Sequence, residues 1–482
     1  MQPPLSEPRT IVMLGTPFHD VTMDETLEWI AHIIVRKTPS FLVTANLDFA
    51  TQAAEDVELQ RILVEAELVL CDGTPLVWTS RLTGHPLRER VAGSDLVPRI
   101  AERGAREGWR IFLLGGDPSS LEAAARNLAT THPGLLIAGT YSPPFAPLHE
   151  FDHAGIAARI REVKPDILLV AFGCPKQEKW IYAHYRELGV PCAIGVGATI
   201  DFLAGKVHRA PGWLGKIGCE WIFRMLQEPR RLVGRYAKDF LFLFQQILRE
   251  RKAILQTAKP NERAESSQIP LSGSDCELLS WKGPIVAGTL ASLAPPSLGK
   301  PYIVDLSETT RIDSGGLGFL LRTLRKGWAQ GIPGCFCGVP PAIRSVLEMT
   351  RLDRVVPTAG DTQSAMAVLA REKANAYLRP IVDPTEGSML FLMPQRITSS
   401  NAADCIAAAA KEWQARPNLH TLRIDLATTS FIDSSGLGFL IRCHRLVAER
   451  NAGHLEILHP CPNVRNVIKI AKLEKLFGMD NY

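Results

Sequence analysis

The chain has 482 residues, of which 46% are hydrophobic and 22% charged, and its formal net charge is +4. That is room for about three domains, each with apolar residues enough for a core, and so slight a charge excess gives no electrostatic reason to expect a nucleic-acid partner. The 10 cysteines include no Cys-x-x-Cys pair, and the closest spacing, Cys335-Phe336-Cys337, suits neither zinc nor a dithiol redox centre, so the thiols read as reduced core residues of a cytosolic protein.

Residues 1–9, from Met1-Gln2-Pro3-Pro4 to Arg9, lack the apolar segment of a signal peptide and read as a flexible N-terminus. No apolar run approaches the ~20 residues of a membrane span. Between residues 10 and 228, short apolar runs alternate with helical patterns. Phe41-Leu42-Val43-Thr44 ends at Asn46, Leu68-Val69-Leu70-Cys71 at Asp72-Gly73, and Ile111-Phe112-Leu113-Leu114 at Gly115-Gly116-Asp117-Pro118. Ile167 through Phe172 ends at Gly173, and Ala193-Ile194-Gly195-Val196 at Gly197. Continuous apolar strands alternating with helices predict an α/β, Rossmann-like domain whose mostly parallel sheet is covered on both faces. Such sheets bind ligands at the carboxyl ends of their strands, so the polar residues just after each run are the candidate site.

The segment 229–258 is predicted as a basic amphipathic appendage. Val233, Tyr236, Phe240, Leu243, Phe244, Ile247 and Leu248 share one helical face, and Arg230, Arg231, Arg235, Lys238, Arg249, Arg251 and Lys252 lie mostly off it. Two readings stand: a helix lying on an anionic membrane surface, or a helix packed on the preceding domain with its cations solvated. Residues 259–274 are polar with Pro, Ser and Gly and read as a linker, and a shorter one lies near Asp383-Pro384-Thr385-Glu386-Gly387.

The remainder is a duplication. Val304-Asp305-Leu306 followed by Ile312-Asp313-Ser314-Gly315-Gly316-Leu317-Gly318-Phe319-Leu320 returns, 120 residues on, as Ile424-Asp425-Leu426 followed by Ile432-Asp433-Ser434-Ser435-Gly436-Leu437-Gly438-Phe439-Leu440. A repeat that long is a duplicated domain, so two small α/β domains are expected, over 275–378 and 387–480.

The strand-end residues, taken in order, resemble the WecG/TagA/CpsF glycosyltransferases (glycosyltransferase family 26). The resemblance runs from Thr44-Ala45-Asn46, Asp72-Gly73 and Arg88 to Asp95, through Gly173-Cys174-Pro175-Lys176-Gln177-Glu178-Lys179-Trp180, Asp201 and Ala204-Gly205. It continues through Arg209-Ala210-Pro211 and Glu220-Trp221 to Arg224 and Gln227-Glu228-Pro229-Arg230-Arg231. It implies a hexosyltransferase that moves an N-acetylmannosamine-like sugar from a UDP-sugar donor to a polyprenyl-diphosphate-linked acceptor. It also implies inversion, no metal and no other cofactor, in a cytoplasmic protein peripheral on the inner face of the bacterial cell membrane through 229–258. No Asp-x-Asp, the usual metal anchor of nucleotide-sugar enzymes, occurs in the chain, and arginine forks suit diphosphate oxygens instead.

Within that resemblance Asp72 fits the catalytic base that takes the acceptor's proton, although Asp-Gly alone also spells a plain turn. Thr44 and Asn46 match the substrate-contacting pair, where Asn is equally a helix cap. Arg90 fits a diphosphate contact or a surface pair with Glu89 or Asp95. Gln177 fits an anion site at a strand-to-helix turn or a local cap. Arg224, Arg230 and Arg231 match the appendage that closes over the site and meets the membrane. Gly115-Gly116-Asp117-Pro118 is weaker evidence of a phosphate cradle.

The duplicated block resembles STAS domains, in which a partner kinase phosphorylates the serine after the aspartate. Ser314 and Ser434 hold that position, and a helix start favours an added phosphate; as plain helix caps the same serines need no kinase. A serine kinase or anti-sigma-type protein is the partner the resemblance implies. Two functions follow: a membrane-surface transferase with tandem regulatory or docking domains, or a non-catalytic scaffold of the anti-sigma-antagonist kind.

Overall fold

The computed structural model describes residues 7–146, 151–206, 220–227, 229–255, 264–269, 276–375, 381–383, 388–393, 396–397, 402–414, 416, 419–426, 429, 431–450, 453–477 and 479. The chain divides into two units. Met1–Gln330 with Gly334–Thr362 holds the N-terminal domain and the first repeat, and Gln363–Tyr482 with Gly331–Pro333 holds the second.

The first unit opens on a hairpin, β1 (Thr10–Met13) and β2 (Thr16–His19). Its turn residues Leu14 and Gly15 have φ of 55° and 75°, the left-handed pair that matches the twist of a two-residue hairpin. The elements then run α1 (Met23–Arg36), β3 (Ser40–Ala45), α2 (Leu47–Ala53), α3 (Val57–Glu65), β4 (Leu68–Cys71), α4 (Thr74–Leu82), α5 (Gly93–Glu107) and β5 (Arg110–Gly115). After these come α6 (Pro118–Thr131), β6 (Leu136–Tyr141), α7 (His153–Val163), β7 (Ile167–Ala171), α8 (Lys176–Leu188), β8 (Cys192–Gly195) and α9 (Thr199–Leu203). Strands β3 to β8 form one parallel sheet in the order β4-β3-β8-β7-β5-β6.

Alternate strand residues feed opposite cores, as the pleat requires. Phe41, Val43, Val69, Phe112, Leu168 and Val170 enter one apolar cluster, while Leu42, Leu68, Leu70, Ile111, Ile167 and Leu169 enter the other. The predicted two-sided parallel sheet is therefore the fold. From β7 the chain moves one way to β8, and from β5 the other way to β6, so strand order reverses between β5 and β7, where such sheets open a ligand crevice.

Helices α10 (Glu220–Gln227) and α11 (Pro229–Leu255) form the appendage. Leu243 is buried in the domain core, with Phe240 packed against it. Arg235 reaches Asp48 at 3.7 Å and Lys238 reaches Glu55 at 3.2 Å. The predicted apolar face is thus split: Phe240 and Leu243 turn toward the domain, Tyr236 packs edge-on against Trp221 of α10, and Val233 and Phe244 are 50% and 62% exposed beside Leu241 at 59%. Exposed Ala237 joins these at positions i, i+4, i+8 and i+11 of one stripe. The side chains of Ile247 and Leu248 lie outside the described residues. Among the described residues no helix is long and apolar enough to cross a membrane.

The first repeat follows as β9 (Glu265–Ile269), β10 (Glu277–Ile285), β11 (Tyr302–Asp305), β12 (Thr309–Ile312), α12 (Ser314–Ala329), β13 (Gly334–Cys337), α13 (Pro341–Met349) and β14 (Thr358–Ala359). Its sheet runs β12-β10-β11-β13-β14, with β9 antiparallel on β10. Part of the 259–274 segment read as a linker is therefore a strand. Its sequence, Glu-Ser-Ser-Gln-Ile, is polar because it is mostly exposed, and its backbone still pairs.

This repeat is packed on the N-terminal domain. Helix α12 lies across β1 and α3. A Cβ on Gly318 would stand 2.2 Å from the Thr10 carbonyl oxygen. Arg325 pairs with Glu67 at 3.2 Å, Arg61 stacks on Trp328, and Gln60 donates to the Thr350 carbonyl at 3.2 Å. Beneath them His19 accepts from the Val69 amide at 2.9 Å. Burial and then the cations Arg325 and Arg322 push its pKa down to about 3, so the ring is neutral.

From α14 (Thr362–Asn375), whose first residue closes the first unit, the second unit runs through β15 (Ile381–Asp383), β16 (Ser388–Leu392), β17 (Arg396–Ile397), α15 (Ala402–Gln414), β18 (Thr421–Asp425), β19 (Phe431–Ile432), α16 (Ser434–Ala448), β20 (His454–Leu458) and α17 (Pro462–Ile470). Parallel β16-β18-β20 repeats the β10-β11-β13 arrangement, over a core that includes Trp413, Phe391 and Phe439.

Candidate active site

Asp72 stands where β4 ends. Its amide donates to the Ala45 carbonyl at 2.9 Å, which ties the end of β4 to the end of β3. Its Oδ2 accepts from the Gly93 amide at 3.2 Å, at the start of α5. Gly93 is packed tightly: a Cβ there would lie 3.2 Å from Thr199 Oγ1 and 3.5 Å from Thr44 Oγ1. Thr44 is buried and donates to the Gly195 carbonyl at 3.0 Å. Asn46 caps α2, its Oδ1 accepting from the Phe49 amide at 3.2 Å, and its Cβ faces Gly73. Asp72, Thr44 and Asn46, three separate strand-end signals, thus meet along one edge formed by β4, β3 and β8. Thr199 belongs to the same edge; no sequence signal pointed to it beyond its place two residues after Gly197.

Arg90 pairs with Asp95 at 2.7 Å, one of the two local partners foreseen for it. The pair follows from chain order, because Asp95 sits in the first turn of α5, five residues on. The other foreseen partner, Glu89, instead accepts from the Met23 amide at 3.0 Å.

Gln177 is buried and acts on backbone. Its Oε1 accepts from the Gly173 amide at 3.2 Å and from the Gly197 amide at 3.1 Å, joining the loops after β7 and β8. Its Nε2 donates to Glu178 at 2.7 Å. Burial raises the Glu178 carboxyl to about 8, so it is largely protonated at neutral pH. The Gln-Glu pair is therefore an internal brace at the strand ends.

The loop after β5 turns through Gly115 and Gly116, both left-handed at φ 93° and 79°. A Cβ on Gly115 would meet the Phe172 ring at 2.6 Å, so only glycine fits. Asp117 then caps α6, and Lys206 at 2.7 Å holds its carboxyl well below the usual range. Helices α10 and α11 carry positions 224, 230 and 231, but the side chains of Arg224, Arg230 and Arg231 lie outside the described residues. Among the described residues no group of three His, Cys, Asp or Glu is arranged around a metal position.

In both repeats the aspartate, not the serine, caps the helix. Asp313 Oδ1 accepts from the Gly316 amide at 2.7 Å, and Asp433 Oδ1 accepts from the Ser435 and Gly436 amides at 2.8 and 3.0 Å. Ser314 and Ser434 are left as the first helical residues. Asp313 Oδ2 also lies 3.8 Å from His85 Nε2, in the segment that leads from α4 to Arg90 and Gly93. Ser434 is exposed, and Ser314 is half-buried.

Comparison with known proteins agrees with this layout. N-acetylglucosaminyldiphosphoundecaprenol N-acetyl-beta-D-mannosaminyltransferase of Bacillus subtilis strain 168 is 30% identical over 200 residues, 42% of this chain and 76% of that protein. The protein of the same name from Staphylococcus aureus strain MW2 is 28% identical over 242 residues, 50% of this chain and 93% of its own length. Residues 262–365 and 381–481 each match the STAS domain. Residues 11–256 match the glycosyl transferase family WecG/TagA/CpsF, so the chain belongs to that family and carries two STAS domains behind its transferase domain.

Proposed function

We propose that the chain is an inverting hexosyltransferase that moves an N-acetylmannosamine-like sugar from a UDP-sugar to a polyprenyl-diphosphate-linked acceptor in cell-surface or exopolysaccharide synthesis. The observation that carries the reading is the convergence of Asp72, Thr44 and Asn46 on one strand-end edge, in a chain similar to proteins named as N-acetylmannosaminyltransferases acting on an N-acetylglucosaminyldiphosphoundecaprenol acceptor. Asp72 removes the proton of the acceptor hydroxyl as its oxygen attacks the anomeric carbon. The bond from that carbon to the diphosphate breaks, and the electron pair leaves with UDP. Arg90, Arg224, Arg230 and Arg231 are the proposed cations for the diphosphate, meeting its charge without a metal ion. Gln177 supports the loops around the donor.

The exposed stripe of α11 is the proposed contact with the inner face of the membrane, and the STAS domains are proposed to dock partners or regulate transfer, with Ser434 and Ser314 as modification positions.

The test is UDP release by the full chain with a panel of UDP-sugars, with and without a polyprenyl-diphosphate-GlcNAc analogue. Acceptor-dependent release with one donor supports the reading. No release with any donor from folded protein on acceptor-loaded vesicles would turn the assignment toward a scaffold.

A further inference from the structure

The two repeats carry the same helix face and use it differently. In the first, Gly318 admits the Thr10 carbonyl to direct contact with α12. Around that contact Arg322 reaches Glu7 at 3.7 Å, Arg325 reaches Glu7 at 3.6 Å and Glu67 at 3.2 Å, and Lys326 reaches Glu7 at 2.9 Å. The dock is therefore a bare glycine that takes an extended backbone, with basic residues on its flank that take carboxylates. The occupant is strand β1 of the chain's own hairpin, with the carboxylate of Glu7 three residues ahead of it and Glu67 supplied by the segment before β4.

Shifted by 120 residues, Gly318, Arg322 and Arg325 become Gly438, Arg442 and Arg445. Among the described residues no heavy atom lies within 4 Å of a Cβ built on Gly438. Arg442, Arg445 and Ser434 are exposed, and Leu437 and Ile441 are half-exposed. Inside a solvated helix a glycine costs roughly 0.5–1 kcal/mol relative to alanine and returns nothing, so helix stability does not account for Gly438. Close approach of a backbone does, as the first repeat demonstrates.

We propose that the Ser434–Arg445 face of α16 is an open docking surface for a β-hairpin strand on a partner protein that carries a carboxylate a few residues ahead of its contact point, and that the first repeat's equivalent face is already filled within the chain. The proposal rests on reading the STAS domains as docking modules and is independent of the transfer chemistry.

A fluorescent, disulfide-closed synthetic hairpin with the sequence Glu7–Val21 is titrated against the full chain. Saturable binding is expected, weakened about ten-fold or more by Gly438→Leu and by Arg442→Glu with Arg445→Glu. Partial recovery is expected when the charge-reversed chain meets a probe carrying Glu7→Lys. Absence of saturable binding, or binding that Gly438→Leu and the charge reversal both leave unchanged, overturns the proposal. Because Arg442 and Arg445 are exposed, the charge reversal decides the matter even if Gly438→Leu unfolds its domain. Hydrogen exchange over Thr10–His19 separates the two levels. If Gly318→Leu deprotects the hairpin, the docking reading stands whatever the probe does; if it does not, that reading itself fails.

Discussion

The Gly93 amide donates to Asp72 Oδ2 at 3.2 Å. The bond orients the carboxylate from the first residue of α5, and a Cβ on Gly93 would press on Thr199 and Thr44. As the proposed base, Asp72 is aimed by backbone, and an amide side chain can keep that aim. Asp72→Asn should preserve the bond from Gly93 and the thermal stability while lowering acceptor-dependent turnover by about 10²- to 10⁴-fold. Steady-state UDP release and a melting curve on the same preparation check it. Turnover close to wild type would remove Asp72 from the chemistry.

Glu178 provides a pH test. Its carboxyl is raised to about 8 by burial, while the unfolded chain loses that proton near the ordinary carboxylate value. Between the two values the folded state holds a proton that the unfolded state lacks, so this group's contribution is complete at low pH and is lost as pH rises through about 8. Thermal melts from pH 5 to 9 should show that decline, and Glu178→Gln, which mimics the neutral form, should flatten it. Parallel pH profiles for the two proteins would refute the assignment.

The equivalent glycines Gly318 and Gly438 should respond to alanine with opposite signs. At Gly318 the added methyl meets the Thr10 carbonyl oxygen at 2.2 Å, and overpacking of that kind costs about 1–3 kcal/mol. At Gly438 the methyl meets no described atom, and the helix gains roughly 0.5–1 kcal/mol. Denaturant titration of the full chain with each substitution compares them directly. Destabilisation of equal size at both positions would show that the two helix faces are equivalent.

Much of this was legible because strand-end chemistry is local. The runs ending at Asn46, Asp72, Gly115, Gly173 and Gly197 became neighbouring parallel strands, since a continuous apolar run with a polar stop leaves few alternatives to a doubly covered sheet. The repeat was legible as a count of residues. The β1–β2 hairpin was not, because four-residue strands buried on both sides leave no period to read. Gln177 matched a functional motif, yet its side chain is spent on the Gly173 and Gly197 amides, and only the three-dimensional nearness of β7 and β8 reveals that. Nor does a sequence say that Gly318 faces Thr10 while its twin meets no described atom, for the two motifs differ only at Val304/Ile424 and Gly315/Ser435 and the difference lies in what covers them.

The split face of α11 leads to a membrane prediction. Phe240 and Leu243 turn toward the domain and Tyr236 packs on Trp221, which leaves Val233, Ala237, Leu241 and Phe244 as a solvent-facing stripe. A large apolar side chain moved from water into lipid gains about 1.5–3 kcal/mol. Replacing Leu241 and Phe244 with serine should therefore lower partitioning onto vesicles of phosphatidylcholine with phosphatidylglycerol by about ten-fold or more, leaving the melting temperature unchanged because neither side chain packs in the core. The basic residues of the same helix add attraction to anionic lipid that salt screens, so raising the salt concentration should weaken wild type and the double variant by a similar factor. Co-sedimentation across a lipid titration gives both numbers. Equal partitioning of wild type and variant would assign the stripe to a protein partner and remove α11 as the membrane contact.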